Sequence, residues 1–203
     1  SVLRPVVLRL AHHPWFRRLA TRTRPGRALA LRFVAGETLE EAMIAARELD
    51  HLRVTSMLDH LGENVLSEAQ ASEAADRYLE ALAQIETAPT LDCAISLKLT
   101  QLGLDRFPQL CTTHVRRIAE AADASRTLLM IDMESHGTVD ATLEVFRAVH
   151  SDHPRVGVCL QAYLRRTERD VFSLPRGSRI RVVKGAYLEP PARPPRRACL
   201  PRL

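Results

Sequence analysis

The chain has 203 residues, of which 46% are hydrophobic and 26% charged, enough to bury one sizeable core. Its net charge of +5 hides a division. Residues 1–32 carry eight arginines and no acid, residues 190–203 carry four arginines and no acid, and the stretch between holds 17 basic against 24 acidic residues. An acidic body argues against a nucleic-acid-binding core, and no apolar run reaches the roughly 18 residues of a membrane-spanning helix. The four cysteines (Cys93, Cys111, Cys159, Cys199) show no CxxC spacing, which favours reduced thiols in a reducing compartment over a zinc site.

Residues 1–32 mix Trp15, Phe16 and aliphatic residues with arginine. A helical arm broken near Pro25-Gly26 is expected there rather than a transit peptide. The body, 33–189, alternates short apolar runs with amphipathic stretches. A brief strand is expected at 33–36. Thr38 then caps a helix over 38–51, with Glu40 and Glu41 at its positive end and Leu39, Met43 and Ala46 on one face. A second strand near 54–61 ends at Asp59-His60-Leu61-Gly62-Glu63. Ser67 opens a helix over 67–86 with Ala71, Ala74, Tyr78 and Leu82 at helical spacing.

The alternation continues with a strand at 92–99, a helix at 109–123, a strand at 127–133 and a helix at 138–150. A strand at 156–162, a helix over 167–173 and a strand at 180–186 complete it. Six strands separated by crossover helices predict an α/β protein with a parallel sheet, built from the repeating units of a β/α barrel. The last segment, 190–203, has five prolines in its 14 residues and no helical period, so disorder is expected. An eight-stranded barrel takes about 250 residues. The pattern therefore predicts an incomplete barrel of six strands.

Four of these strands carry polar residues near their C-terminal ends, where β/α barrels gather their chemistry. Strand alternation puts Ala94, Ser96, Lys98 and Thr100 on one face. The matching faces hold Asp132 and Glu134, then Gly157, Cys159 and Gln161, then Arg181 and Gly185, with Tyr187 just beyond. The small residues leave room for a flat ligand. Lys98 and Arg181 supply positive charge for a carboxylate or an electron-rich ring, Asp132 balances it, and the Gln161 amide can both donate and accept. The competing reading is a structural Lys98–Asp132 salt bridge. Asp59, His60 and Glu63 fall on the same expected face, as supports of the site or as loop caps. The eight histidines show no ligand spacing, and no metal site is expected. No GxGxxG, P-loop or nucleophile-elbow pattern is present.

At these strands the chain resembles the proline dehydrogenase family, in its single-function bacterial form. The motifs are Arg32-Phe33-Val34-Ala35-Gly36-Glu37-Thr38, Leu58-Asp59-His60-Leu61-Gly62-Glu63 and Ile95-Ser96-Leu97-Lys98-Leu99. They continue with Ile131-Asp132-Met133-Glu134, Leu160-Gln161-Ala162-Tyr163-Leu164-Arg165-Arg166-Thr167 and Val183-Lys184-Gly185-Ala186-Tyr187-Leu188-Glu189. The resemblance implies a distorted (β/α)8 barrel holding FAD, which oxidises L-proline to Δ1-pyrroline-5-carboxylate and passes electrons to a quinone. It implies that Lys98 binds the proline carboxylate and that Tyr187 packs near substrate. Asp132 would be an active-site carboxylate, and Arg181 would stabilise negative charge on the reduced ring. Met133, Gln161, Lys184, Gly185 and Ala186 would line the FAD site. No counterpart of the family's last two strands and arginine-paired helix follows residue 189, so the tail reads as a frameshift or truncation product, and an inactive fragment is the first alternative. A Schiff-base aldolase using Lys98, with Asp132 as proton shuttle, is a second, and a basic-ended remnant binding acidic surfaces a third. A cytoplasmic enzyme with peripheral contact to the inner membrane is expected.

Overall fold

The computed structural model describes residues 34–62 and 64–185. The expected N-terminal arm, the proline-rich tail, Glu63, Ala186 and Tyr187 lie outside these residues. Contacts divide the chain into a unit ending at Ser56 and a unit starting at Met57.

In the first unit the described structure is mainly one helix, α1 (Leu39–His51). Its entry is fixed by reciprocal capping. Thr38 Oγ1 accepts from the Glu41 N–H at 3.3 Å, and Glu41 Oε2 accepts from the Glu37 N–H at 2.7 Å. That cap explains why the strand expected at 33–36 does not form over 34–36. Gly36 sits at φ +152°, and a Cβ there would come within 2.3 Å of Glu41 Cβ. The chain turns onto its cap instead of extending.

Apart from Ser56, the first residue of its first strand, a five-stranded sheet lies in the second unit, and its spatial order is the sequence order. Its strands are β1 (Ser56–Asp59), β2 (Cys93–Leu97), β3 (Leu129–Ile131), β4 (Val156–Gln161) and β5 (Arg179–Val183). The pairings from β2 to β5 are all parallel. Helices α2 (Glu68–Glu86), α3 (Pro108–Ala124), α4 (Val139–His150) and α5 (Thr167–Phe172) make the crossovers. A strictly sequential order belongs to a singly wound barrel wall, since a doubly wound sheet reverses direction at its middle. The fold is thus an incomplete α/β barrel, with five strands among the described residues.

Local chemistry places these elements. Ser67 repeats the capping motif: its Oγ accepts from the Gln70 N–H at 3.3 Å, while Gln70 Oε1 accepts from the Leu66 N–H at 2.7 Å. Helix α2 buries Ala71, Ala75, Tyr78 and Leu82 on one face and packs beside α3. Strands β2, β3 and β4 are buried along their whole length. Leu97, Ile131, Val158 and Phe146 have no exposed surface, each contributing roughly 1.5–3 kcal/mol of burial. Gly157 is required by close approach: a Cβ there would meet the Arg179 carbonyl oxygen at 2.8 Å and Met130 Cε at 2.9 Å.

Candidate functional site

Register brings the polar residues together. Leu97 pairs with Ile131, so Lys98 and Asp132 each lie one step past the end of a paired strand. The Asp132 N–H still donates to the Leu97 carbonyl at 2.8 Å, which holds that step rigid. On the far side Cys159 pairs with Arg181, and Gln161 with Val183.

Asp132 is the hub. Its Oδ1 accepts from Ser96 Oγ at 2.6 Å and from the Arg181 guanidinium, and its Oδ2 lies 3.5 Å from Lys98 Nζ. Lys98 Nζ also donates to Asp59 Oδ2 at 2.5 Å. Arg181 further donates to Ser96 Oγ at 3.3 Å and to Met57 Sδ at 2.8 Å. Two cations and two carboxylates thus form one chain of contacts, Asp59–Lys98–Asp132–Arg181. Burial by itself would lower the Lys98 pKa, but the hydrogen bond and charge of Asp59, followed by those of Asp132, outweigh it and raise it. Arg181 follows the same logic: burial opposes its charge, and Cys159 and Asp132 outweigh burial. Lys98 is held as an ammonium, which suits it to binding an anion and not to attacking a carbonyl.

Next to this chain stands a third carboxylate, Glu134, only 6% exposed. Its oxygens accept from the Thr100 N–H at 2.9 Å and the Thr100 hydroxyl at 2.6 Å, tying the end of β3 to the loop after β2. Gln161 is buried at the end of β4, where its Nε2 donates to the Met133 carbonyl at 2.8 Å and the Glu134 carbonyl at 2.9 Å. That fixes the amide and leaves Gln161 Oε1 buried with no hydrogen-bond partner among the described residues. Gly185 lies against it at φ +85°, and a Cβ there would come within 2.8 Å of that oxygen. Thr167 Oγ1 donates to the Gln161 carbonyl at 2.5 Å and closes the turn behind it.

The structure therefore brings together Lys98, Asp132, Arg181 and Gln161, with Gly185 against Gln161. Met133 is buried and meets Gln161 through its carbonyl, whereas the Lys184 side chain is exposed. Sequence reasoning left Asp59 as a support or a loop cap; it is the nearer of the two acids on Lys98. It also read Ser96 only as a small lining residue, although Ser96 bonds both Asp132 and Arg181. The signals available were the position of Asp59 at the end of a strand and its place in the Leu58–Glu63 motif. No group of histidine, cysteine or acidic residues among the described residues has metal-binding geometry.

The sequence pattern of the family described as proline dehydrogenase matches residues 42–193. The chain belongs to the proline dehydrogenase family. It is 35% identical over 161 residues to proline dehydrogenase 1 of Bacillus subtilis subsp. natto, covering 79% of this chain and 53% of that relative. It is 37% identical over 196 residues to the proline dehydrogenase of Deinococcus radiodurans, covering 94% of this chain and 62% of that one. The chain thus spans about half to three fifths of the length of these proline dehydrogenases. Its fold is similar to that of proline utilization A (PutA) from Bdellovibrio bacteriovorus inactivated by N-propargylglycine. There the TM-score is 0.71 at 24% identity, over 79% of this chain and 20% of that chain.

Proposed function

We propose that this chain carries the substrate- and flavin-facing part of a proline dehydrogenase, which oxidises L-proline to Δ1-pyrroline-5-carboxylate with FAD and a quinone acceptor. The observation that supports this best is the Asp59–Lys98–Asp132–Arg181 chain at the strand ends of a family member. Lys98 has three N–H donors, of which Asp59 and Asp132 engage two, so one remains for the carboxylate of an amino acid. Asp132 restrains both cations and fixes the direction of that donor.

The residues present fit a flavin. Gln161 offers a buried, oriented and unengaged acceptor that suits a ring N–H, and Gly185 supplies a surface without a Cβ beside it. We assign Gln161, Met133, Lys184 and Gly185 to holding FAD, together with Ala186. When bound, FAD supplies a hydride acceptor for the substrate's oxidation. Arg181 contributes a fixed positive charge that favours an electron-rich ring over a neutral one. We assign Tyr187 to the substrate side, and a quinone, peripheral membrane contact and a cytoplasmic setting to the same reading. Among the described residues no helix is long and apolar enough to cross a membrane.

The test is to purify the full chain with FAD and titrate it anaerobically with L-proline. Bound flavin with an oxidised spectrum that bleaches on addition of proline, and a Lys98→Met variant that keeps the flavin but raises the proline requirement at least about tenfold, are expected. A folded chain that retains no flavin overturns the reading.

A further inference from the structure

The loop after β2 and the loop after β1 are joined by a set of contacts that the proposed reaction does not use. Tyr78 on α2 is buried, and its hydroxyl donates to Gln101 Oε1 at 2.8 Å. Gln101 is itself only 3% exposed, with its amide oxygen toward the Tyr78 hydroxyl. Its Nε2 then lies 2.7 Å from His60 Nδ1. An amide nitrogen only donates, so Nδ1 is the acceptor and the imidazole carries its proton on Nε2. The His60 ring stands edge-on to Tyr78 with centroids 6.0 Å apart. Two residues on, a Cβ at Gly62 would come within 2.6 Å of Gln101 Nε2, so the turn is pressed onto the same amide. Behind Gln101, Thr100 is held by Glu134. The residue before His60 is Asp59, which reaches Lys98.

We propose that Gln101 and His60 are positioning residues that hold Asp59 against Lys98, through the hydrogen bond from the Gln101 amide to His60 Nδ1. The bond requires a neutral imidazole. Protonation would put a second N–H against the amide nitrogen, two donors facing each other. The groups acting on His60 come from each neighbouring element: Arg77 and Glu73 on α2, Asp59 beside it, and Lys98 after β2. Burial, then Arg77, lowers its pKa below 6.5, so the lock is engaged at pH 6.5 and above and opens only as pH falls through the lower folded value. That Lys98 so held then presents its remaining donor to proline rests on the function proposed above; the positioning itself does not.

Lys98 and Lys184 are the chain's only lysines, and Lys184 is exposed, which makes it an internal reference. Brief acetic anhydride labelling of the full chain, read by mass spectrometry as the Lys98-to-Lys184 ratio, reports the Asp59 contact without flavin or proline. Asp59→Asn sets the upper value. His60→Phe removes the acceptor and is expected to raise the ratio about threefold, because a Lys98 ammonium less well held by Asp59 loses its proton more readily. His60→Asn, whose amide oxygen still accepts, is expected to restore it. Nitrogen NMR of the His60 ring should show Nδ1 without a proton. Equal ratios in wild type and His60→Phe, equal effects of Phe and Asn, or a protonated Nδ1 would each overturn the proposal. Because the labelling needs no turnover, a chain that fails to oxidise proline leaves this result standing, and the converse also holds.

Discussion

Thr100 spends both its donors on one buried carboxylate, and the cost of removing one of them is readable. Thr100→Val keeps the shape but deletes the hydroxyl that reaches Glu134 at 2.6 Å. A buried carboxylate short of a donor costs about 1–3 kcal/mol, so the urea midpoint should fall while the slope of the transition stays constant. An unmoved midpoint would mean that Glu134 does not depend on that hydroxyl. His114 tests the opposite sign of charge. It is 6% exposed, and burial, then Arg117, lowers its pKa from 6.5 against the pull of Asp76. The unfolded chain therefore takes up a proton before the folded one does. Its contribution to stability is present above pH 6.5 and is lost as pH falls through the lower folded value. His114→Gln should flatten the difference in urea midpoint measured on either side of that pH, and a parallel pH dependence in the two proteins would count against it. At this scale the sequence was informative where a polar residue interrupted an apolar strand, as at Lys98, Asp132 and Gln161. It put Asp59 on the right face but left it between site support and loop cap, because its partner Lys98 follows another strand.

At the scale of elements, strand and helix existence was legible because both periods are clean. Helix α2 begins after the capping Ser67, and α1 after Thr38, within one residue of expectation. Among the described residues, the over-read element was the strand expected at 33–36, absent over 34–36, where a short apolar run is indistinguishable in sequence from the approach to a helix cap. The glycine in β4 is a sharper case of element-level constraint. Gly157→Ala inserts a methyl group 2.8 Å from a backbone oxygen of β5, an atom that no side-chain rotation can move. A loss of about 1–3 kcal/mol is expected, read by thermal or urea denaturation. A neutral result would show that β5 can shift away from β4. The same pairing sets another expectation. β3 is buried between two neighbours, whereas β5 ends the described sheet with Val182 at 61% exposure. Native-state hydrogen exchange should find the β3 amides slower than those of β5 by about tenfold or more. Equal protection would mean that the two strands open together.

For the whole molecule, what sequence could not supply was the joining of loops: Gln101 to His60, Glu134 to Thr100, Asp59 to Lys98. Each joins residues from different βα units, and only the closed register brings them into reach. The sequential strand order that creates this register has a further consequence, for synthesis. Each strand from β2 onward pairs with the strand made just before it, so a strand leaving the ribosome finds its partner already translated, and only the newest edge stays open for the next. The connection between successive strands is in each case one helical crossover, so every closure spans a single neighbouring unit and its entropy cost grows only slowly with length. The wall can be laid down one unit at a time, each finished edge serving as the template for the next.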